Sequence, residues 1–218
     1  MIDCCHSQEY EAIFDTERAA RDAARYREQG LKSTAQQIVT LLRKRDIDGH
    51  SLLEVGGGIG DMQIELLRAG VARAVNVELS PAYEEAASRL LEDAGMEGRV
   101  ERHVTDFVEA AGDLQDADIV VMNMVVCCYP DMERLVRAAA GKARRYLAIS
   151  FPRDLWLLSY LMPWVINLRS RLKGSDFRFF VHPPPKILAT ATAAGLRVEH
   201  QERGWLRRVA LFSRPAPV

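Results

Sequence analysis

The 218 residues carry 29 Lys and Arg against 30 Asp and Glu, a formal net charge of -1. The chain therefore offers no strong field to a polyanion, and a nucleic-acid partner is disfavoured. Its length suits one α/β domain with some extra elements and leaves little room for two.

The start, Met1-Ile2-Asp3-Cys4-Cys5-His6, lacks the basic region and apolar run of a signal peptide, which places the chain in the cytoplasm with reduced thiols. Residues 1–50 read as an N-terminal helical cap. Thr16 to Glu28 is rich in Ala, Arg and Glu and stops at Gly30. Ser33 to Arg45 carries Ile38, Leu41 and Leu42 at helical spacing, with Ser33 as its cap.

From Ser51 the pattern alternates. Short apolar strands at 51–55, 73–78, 99–104, 117–122 and 145–150 are separated by helical stretches at 61–69, 81–94 and 131–140, which predicts parallel strands joined by crossover helices. Ser80-Pro81 reads as an N-cap and first helical residue.

Residues 151–185 break this rhythm. Their apolar core, 155–168, is interrupted by Pro163 and is shorter than the ~20 apolar residues of a membrane span. The segment reads as a lid whose aromatic residues, Trp156, Tyr160, Trp164, Phe177, Phe179 and Phe180, supply an apolar pocket, or else as added core or a homodimer interface. Arg153, Arg169, Arg171 and Lys173 flank the apolar run as in interfacial helices, so contact with a membrane surface is a further reading. Residues 186–218 complete the domain: a helix from Lys186 to Ala194 ending at Gly195, then strands 196–202 and 205–213, whose short connection makes them antiparallel.

The residues that decide the chemistry are Glu54-Val55-Gly56-Gly57-Gly58-Ile59-Gly60-Asp61, a buried strand running into a glycine-rich turn and a helix. Glycines allow close backbone approach to a ligand, and a helix N-terminus offers free N–H groups. A dinucleotide fingerprint needs a third glycine where Asp61 stands, so a nicotinamide oxidoreductase is disfavoured.

The segment resembles motif I of the class I S-adenosylmethionine-dependent methyltransferases, an acidic residue followed by alternating glycines, matched by Glu54, Gly56, Gly58 and Gly60 with Gly57 between them. The resemblance covers roughly residues 50–213 and implies a seven-stranded, mostly parallel Rossmann-like sheet with the last strand antiparallel. It implies S-adenosylmethionine as cofactor and S-adenosylhomocysteine as product. Glu78, beside Leu79, falls where the family binds the ribose hydroxyls, and Asp106 with Phe107 where it meets the adenine. Asn123 ends the fourth strand at the ligand edge. The family's Asn/Asp-Pro-Pro-aromatic motif for nucleic-acid bases and glutamine amides is absent after that strand, where Asn123-Met124-Val125-Val126 stand.

Methyl transfer from a sulfonium asks mainly for alignment and exclusion of water. A base helps if the acceptor is a hydroxyl or protonated amine. The candidates are His182, Tyr129 and His103. The expected activity is methyl transfer to a small, apolar or amphipathic acceptor; the alternatives are a non-catalytic protein of this fold and a thiol or metalloid methyltransferase. The cysteines come as adjacent pairs, Cys4-Cys5 and Cys127-Cys128, neither a disulfide framework nor a zinc spacing. No metal site is expected unless the two pairs meet, with His6, to hold a soft metal or metalloid. Read separately, they are buried small apolar residues.

Overall fold

The computed structural model describes residues 13–153, 164, 165, 167, 168, 171, 178–204 and 207–215. Two helices open it, α1 (Thr16–Gln29) and α2 (Ser33–Arg43). Gly30 ends α1 with φ 70° and donates its N–H to Tyr26 O. At α2 the sequence reading is corrected: Lys32 is the cap and Ser33 the first helical residue, with no side-chain capping bond.

Five parallel strands follow, β1 (Ser51–Val55), β2 (Arg73–Glu78), β3 (Val100–Val104), β4 (Ala117–Asn123) and β5 (Ala143–Pro152). The helices between them are α3 (Asp61–Arg68), α4 (Glu84–Ala94), the short α5 (Phe107–Ala110) and α6 (Met132–Lys142). The stretch expected as one helix over 81–94 is a 3-10 turn, Pro81–Tyr83, leading into α4; Ser80 caps it, accepting the Ala82 N–H. Then come α7 (Pro184–Ala193), β6 (Arg197–Arg203) and β7 (Arg207–Ser213). α7 starts two residues earlier than expected because proline, lacking the N–H that a first turn leaves unpaired, is tolerated there.

The sheet order is β3-β2-β1-β4-β5-β7-β6, and β7 runs antiparallel to both neighbours. Strands buried on both faces send alternate side chains to two cores. Leu52, Ile119 and Val121 pack with α1 to α4; Leu53, Val120 and Met122 pack with α6 and α7. Strand order reverses between β1 and β4, and ligands of open α/β sheets bind outside the carboxyl ends of strands at such a switch point.

Candidate active site

At that edge lies a cavity of about 450 Å³, walled by the β1, β2, β3 and β4 ends, the first turns of α1 and α2, and Phe179. Its volume is in the range of small-molecule sites. The glycine turn forms one wall. Gly56 has φ 65°, and a Cβ there would stand 2.6 Å from a Val125 methyl, so both backbone and space require glycine. Gly57 is fixed by packing alone: a Cβ would overlap the Asn76 amide and stand 2.8 Å from the Glu54 carboxyl.

Gly58 is held from both sides. Its N–H donates to Glu78 Oε2 at 2.8 Å, and its carbonyl accepts from Arg102 Nη2 at 3.0 Å. Arg102, 8% exposed, is fixed in turn by Glu84 at 2.7 Å. The other Glu78 oxygen accepts the N–H groups of Leu79 and Ser80 at 2.8 and 3.0 Å. A carboxylate has about four lone-pair sites, so Oε2 keeps room for a hydroxyl donor from the cavity.

Beneath the turn, Glu54 is 2% exposed and does not line the cavity. Burial, reinforced by the Asp61 charge and opposed by Arg102, pushes its carboxyl up to about 8. Asn76 Nδ2 stands 3.5 Å from Glu54 Oε2 and 3.2 Å from Gln63 Oε1. Asn76 Oδ1 and Gln63 Nε2 find no hydrogen-bond partner among the described residues. Gly60, with φ 77°, caps α3 below the same turn. Burial also raises Asp61, which faces Arg25 at 3.7 Å.

Asp106 caps α5, its Oδ1 accepting the Val108 N–H at 2.7 Å, while Oδ2 faces the Tyr129 hydroxyl at 3.3 Å. Asn123, the last residue of β4, accepts from Ser150 Oγ at 2.6 Å, and Ser150 Oγ accepts the Met124 N–H at 2.9 Å. That network holds Met124 at φ 61°, a left-handed conformation costly for a residue with a Cβ and typical of functional turns. The Met124 carbonyl accepts the Cys127 thiol at 3.2 Å.

Gly56, Gly57, Gly58, Glu78, Leu79, Asp106, Phe107, Asn123 and Tyr129 thus all line one cavity, as do Cys127 and Cys128. The two thiols stand 3.9 Å apart, and this contact, with burial, raises Cys128 well above the usual thiol range. Cys4, Cys5 and His6 lie outside the described residues. No group of three metal-ligating side chains occurs among the described residues.

The two histidines lie elsewhere. His103 pairs with Glu101 at 3.0 Å and does not reach the cavity. His182 stands behind the wall: it stacks on Phe180, and its Nε2 donates to the Tyr129 carbonyl at 2.9 Å. Burial lowers its pKa, which suits a neutral ring. Of the lid aromatics, Phe179 faces the cavity, Trp164 is exposed, and Trp156, Tyr160 and Phe177 lie outside the described residues.

The N-terminal cap closes the opposite side. Ser80 Oγ donates to the Phe14 carbonyl at 2.8 Å, and the Arg18 guanidinium lies 4.7 Å from the Phe14 ring centroid. Lys32 and Asp22 form an ion pair at the cavity, and Arg207 Nη1 stands 3.5 Å from Thr34 Oγ1. Arg102, Ser150, Phe14 and Arg18 are absent from the sequence reading. Only Arg102 leaves a local trace, a cation at the centre of a strand, 18 residues after the acid that holds it.

A family model described as a methyltransferase domain matches residues 24–201. The ribosomal protein L11 methyltransferase of Edwardsiella ictaluri is 31% identical over 96 residues, which is 44% of this chain and 32% of that relative, so the match spans about a third of its length. Magnesium protoporphyrin IX methyltransferase from Synechocystis PCC 6803, solved with bound S-adenosylhomocysteine, superposes with a TM-score of 0.66 at 19% identity, covering 84% of this chain and 82% of that one. A putative sarcosine dimethylglycine methyltransferase from Galdieria sulphuraria superposes with a TM-score of 0.69 at 15% identity, over 86% and 87%.

Proposed function

Because the chain belongs to the class I S-adenosylmethionine-dependent methyltransferases, the open question is the acceptor, and we propose that it is a small, apolar or amphipathic molecule. The observation that carries this reading is the continuity of the cavity. It runs from Glu78 and Asp106 past Asn123 to a wall of Val125, Cys127, Tyr129 and Phe179, a lining suited to an apolar ligand with a few polar anchors.

When bound, S-adenosylmethionine supplies an electrophilic methyl group on a sulfonium. The chain's own groups bind and orient. Glu78 accepts a ribose hydroxyl at its remaining lone pair, Phe107 and Leu79 flank the adenine, Asp106 accepts from its amino group, and Gly56 to Gly58 approach the donor closely. Glu54 and Gly60 support that turn from below. The N-terminal cap excludes water, which strengthens every polar contact inside.

Tyr129, which lines the cavity, is the candidate to touch the acceptor. Its hydroxyl donates to Asp106 Oδ2, so the phenol oxygen can take the proton that an acceptor hydroxyl or amine loses while the phenol's own proton passes to that carboxylate. His182 is a positioning residue, fixing Tyr129 through its carbonyl. Calorimetric titration with S-adenosylhomocysteine, followed by an acceptor screen with labelled cofactor, tests the reading. Cofactor binding with methylation of an amphipathic small molecule is the expected result; cofactor binding with methylation only of protein or RNA would overturn it.

A further inference from the structure

Beside the cavity, the described residues 164, 165, 167, 168 and 171 are helical. Trp164 is 63% exposed and Val165 and Leu168 are each 39% exposed. At 3.6 residues per turn these three and the exposed Arg171 share one face. A tryptophan left in water beside two aliphatic side chains is unusual for a surface with no partner.

The edge of the same helical segment is tied to the active site. Asn167 accepts the Phe179 N–H at 2.6 Å and donates to the Phe179 carbonyl at 3.3 Å. Phe179 lines the cavity, and the next residue, Phe180, donates its N–H to the Cys127 carbonyl at 2.8 Å. Whatever covers Trp164, Val165 and Leu168 therefore sits at the acceptor end.

Charge selects the partner. Residues 153–178 carry five cations (Arg153, Arg169, Arg171, Lys173 and Arg178) against two acids (Asp154 and Asp176), in a chain whose net charge is -1. Arg171 and Arg178 are exposed. An apolar patch led by Trp164, with Arg171 on the same face and a cationic excess in the surrounding sequence, matches the headgroup region of an anionic bilayer, where apolar side chains enter the acyl boundary and guanidinium groups meet phosphates. No described helix is long and apolar enough to cross a membrane, and the apolar run 155–168 is shorter than the ~20 residues of a span, which suits a contact lying on the surface.

We propose that the Trp164–Val165–Leu168 face docks this enzyme on anionic lipid bilayers and that the acceptor enters the cavity from the membrane. This rests on the amphipathic-acceptor reading for its second half only.

Flotation with vesicles of phosphatidylcholine, and of phosphatidylcholine mixed with phosphatidylglycerol, tests it, alongside calorimetry with S-adenosylhomocysteine. The wild type is expected to float with the mixed vesicles, less with the neutral ones, and less again at high salt. The double variant Trp164→Ser/Leu168→Ser should lose at least about tenfold in lipid partition while keeping its melting temperature and cofactor affinity. Arg171→Glu/Arg178→Glu should weaken binding to the mixed vesicles alone. A cofactor-binding wild type that stays with the pellet, or a double variant that floats as well as wild type, overturns the proposal. So does a dimer, seen by sedimentation equilibrium, that the double variant dissolves without any lipid binding, since the patch then belongs to a second copy. Intact flotation with no methylation of any amphipathic acceptor would sink the acceptor reading and leave the docking face standing.

Discussion

Gly58 donates its backbone N–H to Glu78 Oε2 at 2.8 Å across 20 residues of sequence, so a carboxylate that lines the cavity also sets the glycine turn. Glu78→Ala removes both roles. A hydrogen bond to a charged group is worth about 1.5–3 kcal/mol, and S-adenosylhomocysteine affinity is expected to fall roughly 10- to 100-fold by calorimetry. Undiminished affinity would place the cofactor elsewhere in the cavity.

His182 acts at a distance. His182→Ala deletes the donor to the Tyr129 carbonyl, and with a neutral hydrogen bond worth about 1 kcal/mol the expected loss in kcat/KM is around fivefold with cofactor affinity unchanged. His182→Gln, whose amide nitrogen can reach a similar position, should recover most of it. Equal loss in both variants would point to the imidazole itself.

Glu54 ties stability to pH. Its folded value of about 8 lies above the ordinary carboxyl value near 4.3, so between the two the folded state holds a proton that the unfolded state has released. Stability then falls as pH rises through this window and levels off above it. Glu54→Gln, neutral throughout, should flatten that slope: its melting temperature relative to wild type rises from pH 5 to pH 9. A parallel pair of curves would mean that Glu54 is ionised in the fold.

Gly57→Ala places a methyl group against the Asn76 amide and the Glu54 carboxyl. Overpacking of this kind costs about 1–3 kcal/mol, measurable as a lower urea midpoint with an unchanged slope. Gly112→Ala is the matching control, since nothing lies within 4 Å of its added carbon.

The Cys128 thiol is raised by its contact with Cys127 and by burial, and the thiol form is a poor nucleophile. Alkylation by iodoacetamide at neutral pH, followed by peptide mass spectrometry, should leave Cys128 largely unmodified in the folded protein and modify it readily in urea. Rapid labelling of the folded protein would revive the soft-ligand reading of the pair.

What was legible in the sequence was what neighbours in the chain decide. The glycine turn, Glu78, Asp106 and Asn123 each sit at the end of a strand whose apolar run is visible by itself, and parallel strands bring those ends to one edge. The contact of His182 with Tyr129 was not legible, because its partner is a backbone carbonyl 53 residues away and backbone atoms leave no mark in sequence. Arg102 and Ser150 were missed for a related reason: what they hold is a peptide group of another strand's turn. Ser33 was misread as a cap because a helix start with no side-chain cap looks, in sequence, like one placed a residue later.

The strand order carries one more consequence. β6 precedes β7 in the chain, yet β7 lies between β5 and β6 and alone connects β6 to the sheet. A growing polypeptide that has released β6 from the ribosome has no strand to pair it with until residues 207–213 emerge. Arg214 follows at once and clamps the carbonyls of Ala140, Ala143 and Ala194. In biosynthesis, then, β6 and β7 join the sheet late, whereas β1 to β5, which carry the glycine turn and Glu78, can pair as they appear.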